Sequence, residues 1–243
     1  MWKSVDPLAE KYPNINPYAY VNNNPIIFID PNGEEIDFSW IYSKNSTGNY
    51  VNQSLVDAFE FFADSGTGRK FLADYAKKGQ IINGYTFEKN GKYHNRGMNL
   101  LFKGFDDKVN ADALTSTKYT DKGGIDSTIK LSQKGVLVER YLDDIGHEAF
   151  IHVSLDAKDF YDNGKLDLSS VDKYIVDYVD KKIEEGRISK SQRANKSQHF
   201  QERNNSNILL INNLVPIMKS YYQKKGIKMS DEEIVKNATR YMN

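Results

Sequence analysis

Four histidines are the scarce chemical resource of this sequence: His94, His147, His152 and His199. None of the 243 residues is cysteine, so a transition metal could be held only by imidazole or carboxylate. Two of the histidines fall together in Gly146-His147-Glu148-Ala149-Phe150-Ile151-His152, with a glutamate directly after the first. Two imidazoles can hold a divalent cation, and a carboxylate beside them can act as general base on water activated by that cation. The spacing sets a condition. A regular α-helix advances about 100° per residue, so five residues turn the second ring roughly 140° from the first. Rings so disposed share nothing. One π turn, at about 4.4 residues per turn, brings them back to roughly 50° apart. Metal binding by this pair therefore requires a π-bulge between His147 and His152. Without one, the two are interfacial or hydrogen-bonded histidines on an amphipathic helix.

The motif is similar to the zincin metallopeptidase pattern His-Glu-x-x-His with one residue added, and dipeptidyl peptidase III enzymes use this His-Glu-x-x-x-His spacing. The resemblance is confined to these few residues. It implies Zn²⁺ held by His147 and His152, with Glu148 as the catalytic base in hydrolysis of a protein or peptide substrate. A catalytic zinc usually takes three protein ligands. His199 is the first choice for the third, with Glu202, Glu184 and Glu185 as competitors. Glu202 follows His199 by three residues and could share its helical face. Glu184-Glu185 echo the Glu-rich second motif of the dipeptidyl peptidase III enzymes. Two readings from other classes stand beside this one: a non-enzymatic interaction domain with a structural histidine pair, and a metal-dependent nuclease.

Other polar residues read as scaffold. His94, in Lys92-Tyr93-His94-Asn95-Arg96, is expected to be a solvated loop histidine. Asp143-Asp144, one turn before the motif, reads as solvated charge on the polar helix face rather than as carboxylates orienting a ligand. Tyr141 and Tyr161 could stabilise an oxyanion, but nothing singles them out among 16 tyrosines. Ser65-Gly66-Thr67-Gly68 lacks phosphate-loop spacing and reads as a helix break.

The elements that must hold these residues belong to a mixed α+β domain, a small twisted sheet packed with helices in a zincin-like arrangement. The hydrophobic share of 39% suffices for a core, and 28 Tyr and Phe residues (16 and 12) argue against disorder. Period-two alternation makes Ile36–Tyr42 a strand. Helical spacing of Leu55, Phe59 and Phe62, then of Phe71, Leu72 and Tyr75, gives two helices broken at Ser65–Gly68. Ile81–Phe87 and Met98–Phe105 read as strands around the Asn90-Gly91 turn, and Ser127–Leu131 as another. A long helix is expected from about Gly135 to Phe160, ended by Asp162-Asn163-Gly164. Further helices are expected over Val171–Glu185, over Ile208–Tyr222 with Pro216 kinking or dividing it, and after a capping box at Ser230-Asp231-Glu232-Glu233. Gly186–Gln198 reads as loop. The central helix should lie against the sheet, with further helices covering the other side.

Five of the six prolines fall before Asn32. Asp6-Pro7-Leu8-Ala9-Glu10-Lys11-Tyr12-Pro13, Asn16-Pro17-Tyr18-Ala19-Tyr20, Asn23-Asn24-Pro25-Ile26 and Asp30-Pro31-Asn32-Gly33 together resemble the closing segment of an Rhs repeat-associated core. The resemblance implies residues 1–33 as a core remnant and 34–243 as a polymorphic-toxin effector domain. It further implies delivery outside the cell as the tail of a larger Rhs protein, and a cognate immunity protein as partner. Lys plus Arg and Asp plus Glu number 33 each, which disfavours a nucleic-acid partner. There is no signal-peptide pattern and no apolar run long enough to span a membrane.

Overall fold

The computed structural model describes residues 36–105, 112–133, 135–166 and 203–240, and within them the chain is α+β. In chain order the elements are β1 (Ile36–Asp37), α1 (Gln53–Asp64), α2 (Gly66–Tyr75), β2 (Ile81–Ile82), β3 (Tyr85–Thr86), β4 (Met98–Gly104), β5 (Ala113–Tyr119) and β6 (Ile125–Leu131). There follow α3 (Val138–His147), a π-helical segment (Glu148–Val153), α4 (Ser154–Asn163), α5 (Arg203–Lys224) and α6 (Asp231–Ala238). Residues 1–35, and with them the Rhs-like segment, lie outside the described residues. So do Val171–Glu185, Gly186–Gln198, His199 and Glu202.

Among the described residues four strands form the main sheet, in the order β1-β4-β6-β5. β1, β4 and β6 run parallel, and β5 runs antiparallel to β6 at the end of the sheet. Alternation decides which face is covered. Met98, Leu100 and Phe102 of β4 and Ile125, Ile129 and Leu131 of β6 are at most 1% exposed. Their neighbours Asn99, Leu101, Asp126, Thr128 and Lys130 keep partial exposure on the outer face. Phe59 of α1 meets Phe102 of β4 at 5.2 Å between ring centroids, joining the helical layer to the sheet.

The sequence rules place the helices closely. Asn52 caps α1 by accepting from the Leu55 N–H, and Ser65 both ends α1 and caps α2. Gly164, at φ +68°, ends α4. α6 opens with both bonds of the Ser230–Glu233 capping box. Pro216 does not divide α5, which runs unbroken on either side of it. α5 buries Leu210, Leu214, Ile217, Met218, Tyr221 and Tyr222 along one side, and it covers the far side of the central helix.

Two strand expectations are corrected, and one strand is additional. Only Ile36–Asp37 of Ile36–Tyr42 is strand. The chain then turns, with the Ser39 N–H and hydroxyl both donating to Asp37 Oδ1 and the Ile41 N–H to the Phe38 carbonyl. Phe38 and Ile41 are both 2% exposed, a spacing of three that suits a turn and not a strand. Ile81–Phe87 is not a single strand but a hairpin of β2 and β3 that turns at Asn83-Gly84, both at positive φ (45° and 75°). β5 was not expected at all.

Candidate metal centre

The central helix is buried all round. Every residue from Tyr141 to Val153 falls in the interior, between the sheet, α1 and α5. Phe150 wedges between Phe62 of α1 and Phe71 of α2, at 5.7 and 5.8 Å between centroids. Gly146 lets α5 approach closely, since a Cβ there would lie 2.4 Å from Leu214 Cδ1. A helix enclosed in this way should be apolar throughout. This one carries Asp143, Asp144, His147, Glu148 and His152, exposed by 0, 1, 3, 6 and 7%. Burying ionisable groups is costly unless each finds partners, so each of the five calls for an explanation.

The winding changes at the motif. Glu148–Val153 is π-helical, and α-helical winding resumes at Ser154. The bulge that metal binding requires is therefore present at that place. It brings the His147 and His152 rings to 5.4 Å between centroids, with their planes 56° apart. One ligand atom from each of His147, Glu148 and His152 lies within 4.8 Å of the others. Two ligands bonded at about 2.1 Å to one ion can be no more than about 4.2 Å apart, so a small side-chain adjustment closes the cluster. This buried group could hold a metal ion. Two imidazole nitrogens with a carboxylate oxygen suit a borderline divalent cation such as zinc.

The sheet supplies the next layer. Thr115 and Thr117 lie two apart on β5 and face the helix. The Thr115 hydroxyl donates to Glu148 Oε2 at 2.7 Å, and the Thr117 hydroxyl donates to Asp156 Oδ2 at 2.6 Å. Asp156, one turn beyond His152 on α4, is itself only 8% exposed. Ser127 of β6, fully buried, stands 3.4 Å from the Thr117 hydroxyl. A stripe of hydroxyls thus interrupts an otherwise apolar sheet face where it meets the motif.

Asp143 and Asp144 do not lie on a solvated face, which corrects the sequence expectation. Arg240, just after α6, reaches Asp143 Oδ2 at 2.5 Å and Asp144 Oδ1 at 3.6 Å. Arg140 Nε also lies 3.6 Å from Asp144 Oδ1, and Arg140 pairs with Asp112. Burial pushes the Asp143 carboxyl up to about 7, against the opposing pull of the Arg240 guanidinium.

Tyr141 is structural: its hydroxyl donates to the Ser132 carbonyl at 2.7 Å and accepts from Asn52 at 2.6 Å. Tyr161 packs against Tyr93 and beneath the Arg96 guanidinium. His94 is half-buried on a 3-10 turn (His94–Arg96) and not freely solvated, a second correction. The structure thus gathers His147, Glu148 and His152. All four candidates for the third ligand (His199, Glu202, Glu184 and Glu185) lie outside the described residues. Sequence reasoning missed Thr115, Thr117, Asp156 and Arg240. Asp156 carried a usable signal, since it follows His152 by four residues. The threonines carried one as well, the period-two pair Thr115-x-Thr117. Arg240 carried none.

Comparison with protein-family models, with curated proteins and with solved structures returns no match to this chain.

Proposed function

We propose that this protein is a zinc-dependent hydrolase of zincin type, a peptidase, serving as the toxin domain of an Rhs-type protein. The observation that carries the reading is the π-helical segment between His147 and His152. A structural histidine pair needs no such distortion, whereas two ligands five residues apart on one helix do. In this reading His147 and His152 hold the ion, a third ligand comes from His199, Glu202, Glu184 or Glu185, and bound Zn²⁺ supplies Lewis-acid activation of water. Glu148 takes a proton from the attacking water and passes it to the departing amine. The peptide preference is supported by β5, which ends the sheet among the described residues and lies beside the helix. A strand edge of this kind accepts an extended chain through backbone hydrogen bonds.

The toxin role, delivery outside the cell and a cognate immunity protein rest on the Rhs resemblance of residues 6–33. None of the described helices is long and apolar enough to cross a membrane. Metal analysis of purified protein is the direct test. One zinc per chain is expected in the wild type, with loss in both His147→Ala and His152→Ala. Glu148→Gln should retain the metal and lose hydrolysis of a fluorogenic peptide library. Metal-free wild-type protein, prepared without chelator at neutral pH, would overturn the proposal. Degradation of DNA or RNA that Glu148→Gln abolishes would move the protein to the nuclease class.

A further inference from the structure

Resting on the metallopeptidase reading, we infer that Thr115 is a positioning residue for Glu148, so that the strand beside the motif helix sets the geometry of the base. The motif alone leaves Glu148 underdetermined. A glutamate side chain has three rotatable bonds, and holding it in one conformation costs entropy that backbone geometry does not recover. A general base must nevertheless be fixed in reach of its proton. In this protein the restraint is the 2.7 Å bond from the Thr115 hydroxyl to Oε2, which leaves Oε1 free of that bond.

Several features make Thr115 suited to the task. Its β-branched side chain is stiff at χ1, so its hydroxyl occupies a defined place. Its strand cannot slide, because β5 pairs with β6 over its whole length, with Thr115 opposite Ile129 and Thr117 opposite Ser127. A second bond of the same kind, from Thr117 to Asp156, ties the strand to the helix on the other side of the π segment. The site is thus bracketed, with one hydroxyl holding the carboxylate that opens the π segment and one the carboxylate just beyond it. A neutral hydroxyl also orients a carboxylate without pairing its charge, as a lysine or arginine would. Both Thr115 and Glu148 are nearly buried, at 5 and 6% exposure, so water cannot easily replace the bond if it is removed.

The test uses Thr115→Val, which keeps the shape and removes the hydroxyl, and Thr115→Ser, which keeps the hydroxyl. On the best-cleaved member of the peptide library, Thr115→Val should lower kcat about ten- to hundred-fold with KM and zinc content unchanged. Thr115→Ser should restore most of the rate. Thr117→Val, which loosens the strand without touching Glu148, should lose much less. An activity-independent readout accompanies these: urea unfolding of the metal-free protein, comparing Thr115→Val, Glu148→Ala (which, unlike glutamine, leaves no acceptor for the hydroxyl) and the double variant. Non-additive shifts of the midpoint are expected, because the two side chains share one bond. Additive midpoints, or a Thr115→Val enzyme with wild-type kcat, would overturn the inference while leaving the metal site standing. So would equal losses in Thr115→Val and Thr117→Val. A wild type without zinc, or active Glu148→Gln, would instead overturn the metallopeptidase reading and this inference with it.

Discussion

His147, Glu148 and His152 were legible as a candidate site because their types are rare in this chain and their chemistry is narrow. Asp143 and Asp144 were misread because aspartate on a helix is usually solvated, and nothing local reveals a partner 97 residues away such as Arg240 is to Asp143. The buried acid has a consequence that can be measured. The Asp143 carboxyl rises from 3.8 to about 7 on folding, so between those values the folded chain holds a proton that the unfolded chain has released. Its stabilising contribution is complete below pH 3.8 and is lost as the pH rises through about 7. Asp143→Asn keeps the shape, cannot ionise and should flatten this slope. Melting temperatures measured from pH 5 to pH 8 should therefore shift in favour of the variant as the pH rises. Parallel curves for the two proteins would show that Asp143 stays charged throughout, paired with Arg240.

Among the elements, the helices were well marked by their caps and apolar spacing, whereas β5 left almost no hydrophobic trace. Its inward residues are Ala113, Thr115 and Thr117, and threonine gives a strand neither an apolar face nor a distinctive run. The strand is polar inward because it serves the carboxylates of the helix, so the feature that hid it from sequence reading is the feature that matters at the site. The π segment was legible only through its chemistry: the spacing demanded it, and the residue pattern did not. Its role can be tested by deleting Ala149. Removing one residue should let the segment wind as a regular α-helix, with the two histidines four apart and about 40° from alignment, close to the roughly 50° of the bulged form. The deletion variant should still retain zinc, at some cost in stability from lost packing. Inserting one alanine after Ala149 should abolish retention. Loss of zinc in the deletion variant would mean that the bulge sets more than ring direction.

At the scale of the whole molecule, the candidate centre sits where every layer meets. The sheet reaches it through Thr115, α1 and α2 through Phe150, α5 through Gly146, and the segment after α6 through the carboxylates one turn upstream. In an unfolded chain no π turn holds the two histidines together, so a cation binds them there much more weakly. A cation bound by both should therefore stabilise the folded state as a whole, by RT ln(1 + [Zn²⁺]/Kd). At free zinc about one hundred times Kd this amounts to roughly 2.7 kcal/mol, which for a chain of this size raises the melting temperature by about 5–10 °C. Melting of chelator-treated protein across a zinc titration should show the temperature rising continuously with the logarithm of free zinc above Kd. His147→Ala and His152→Ala should each remove the rise, while Glu148→Gln should keep most of it, because the glutamate serves as base and not as an essential ligand. A rise that persists in both histidine variants would place the bound ion elsewhere in the chain. A rise lost in Glu148→Gln as fully as in the histidine variants would make Glu148 a ligand, and the hydrolase would then need a different base.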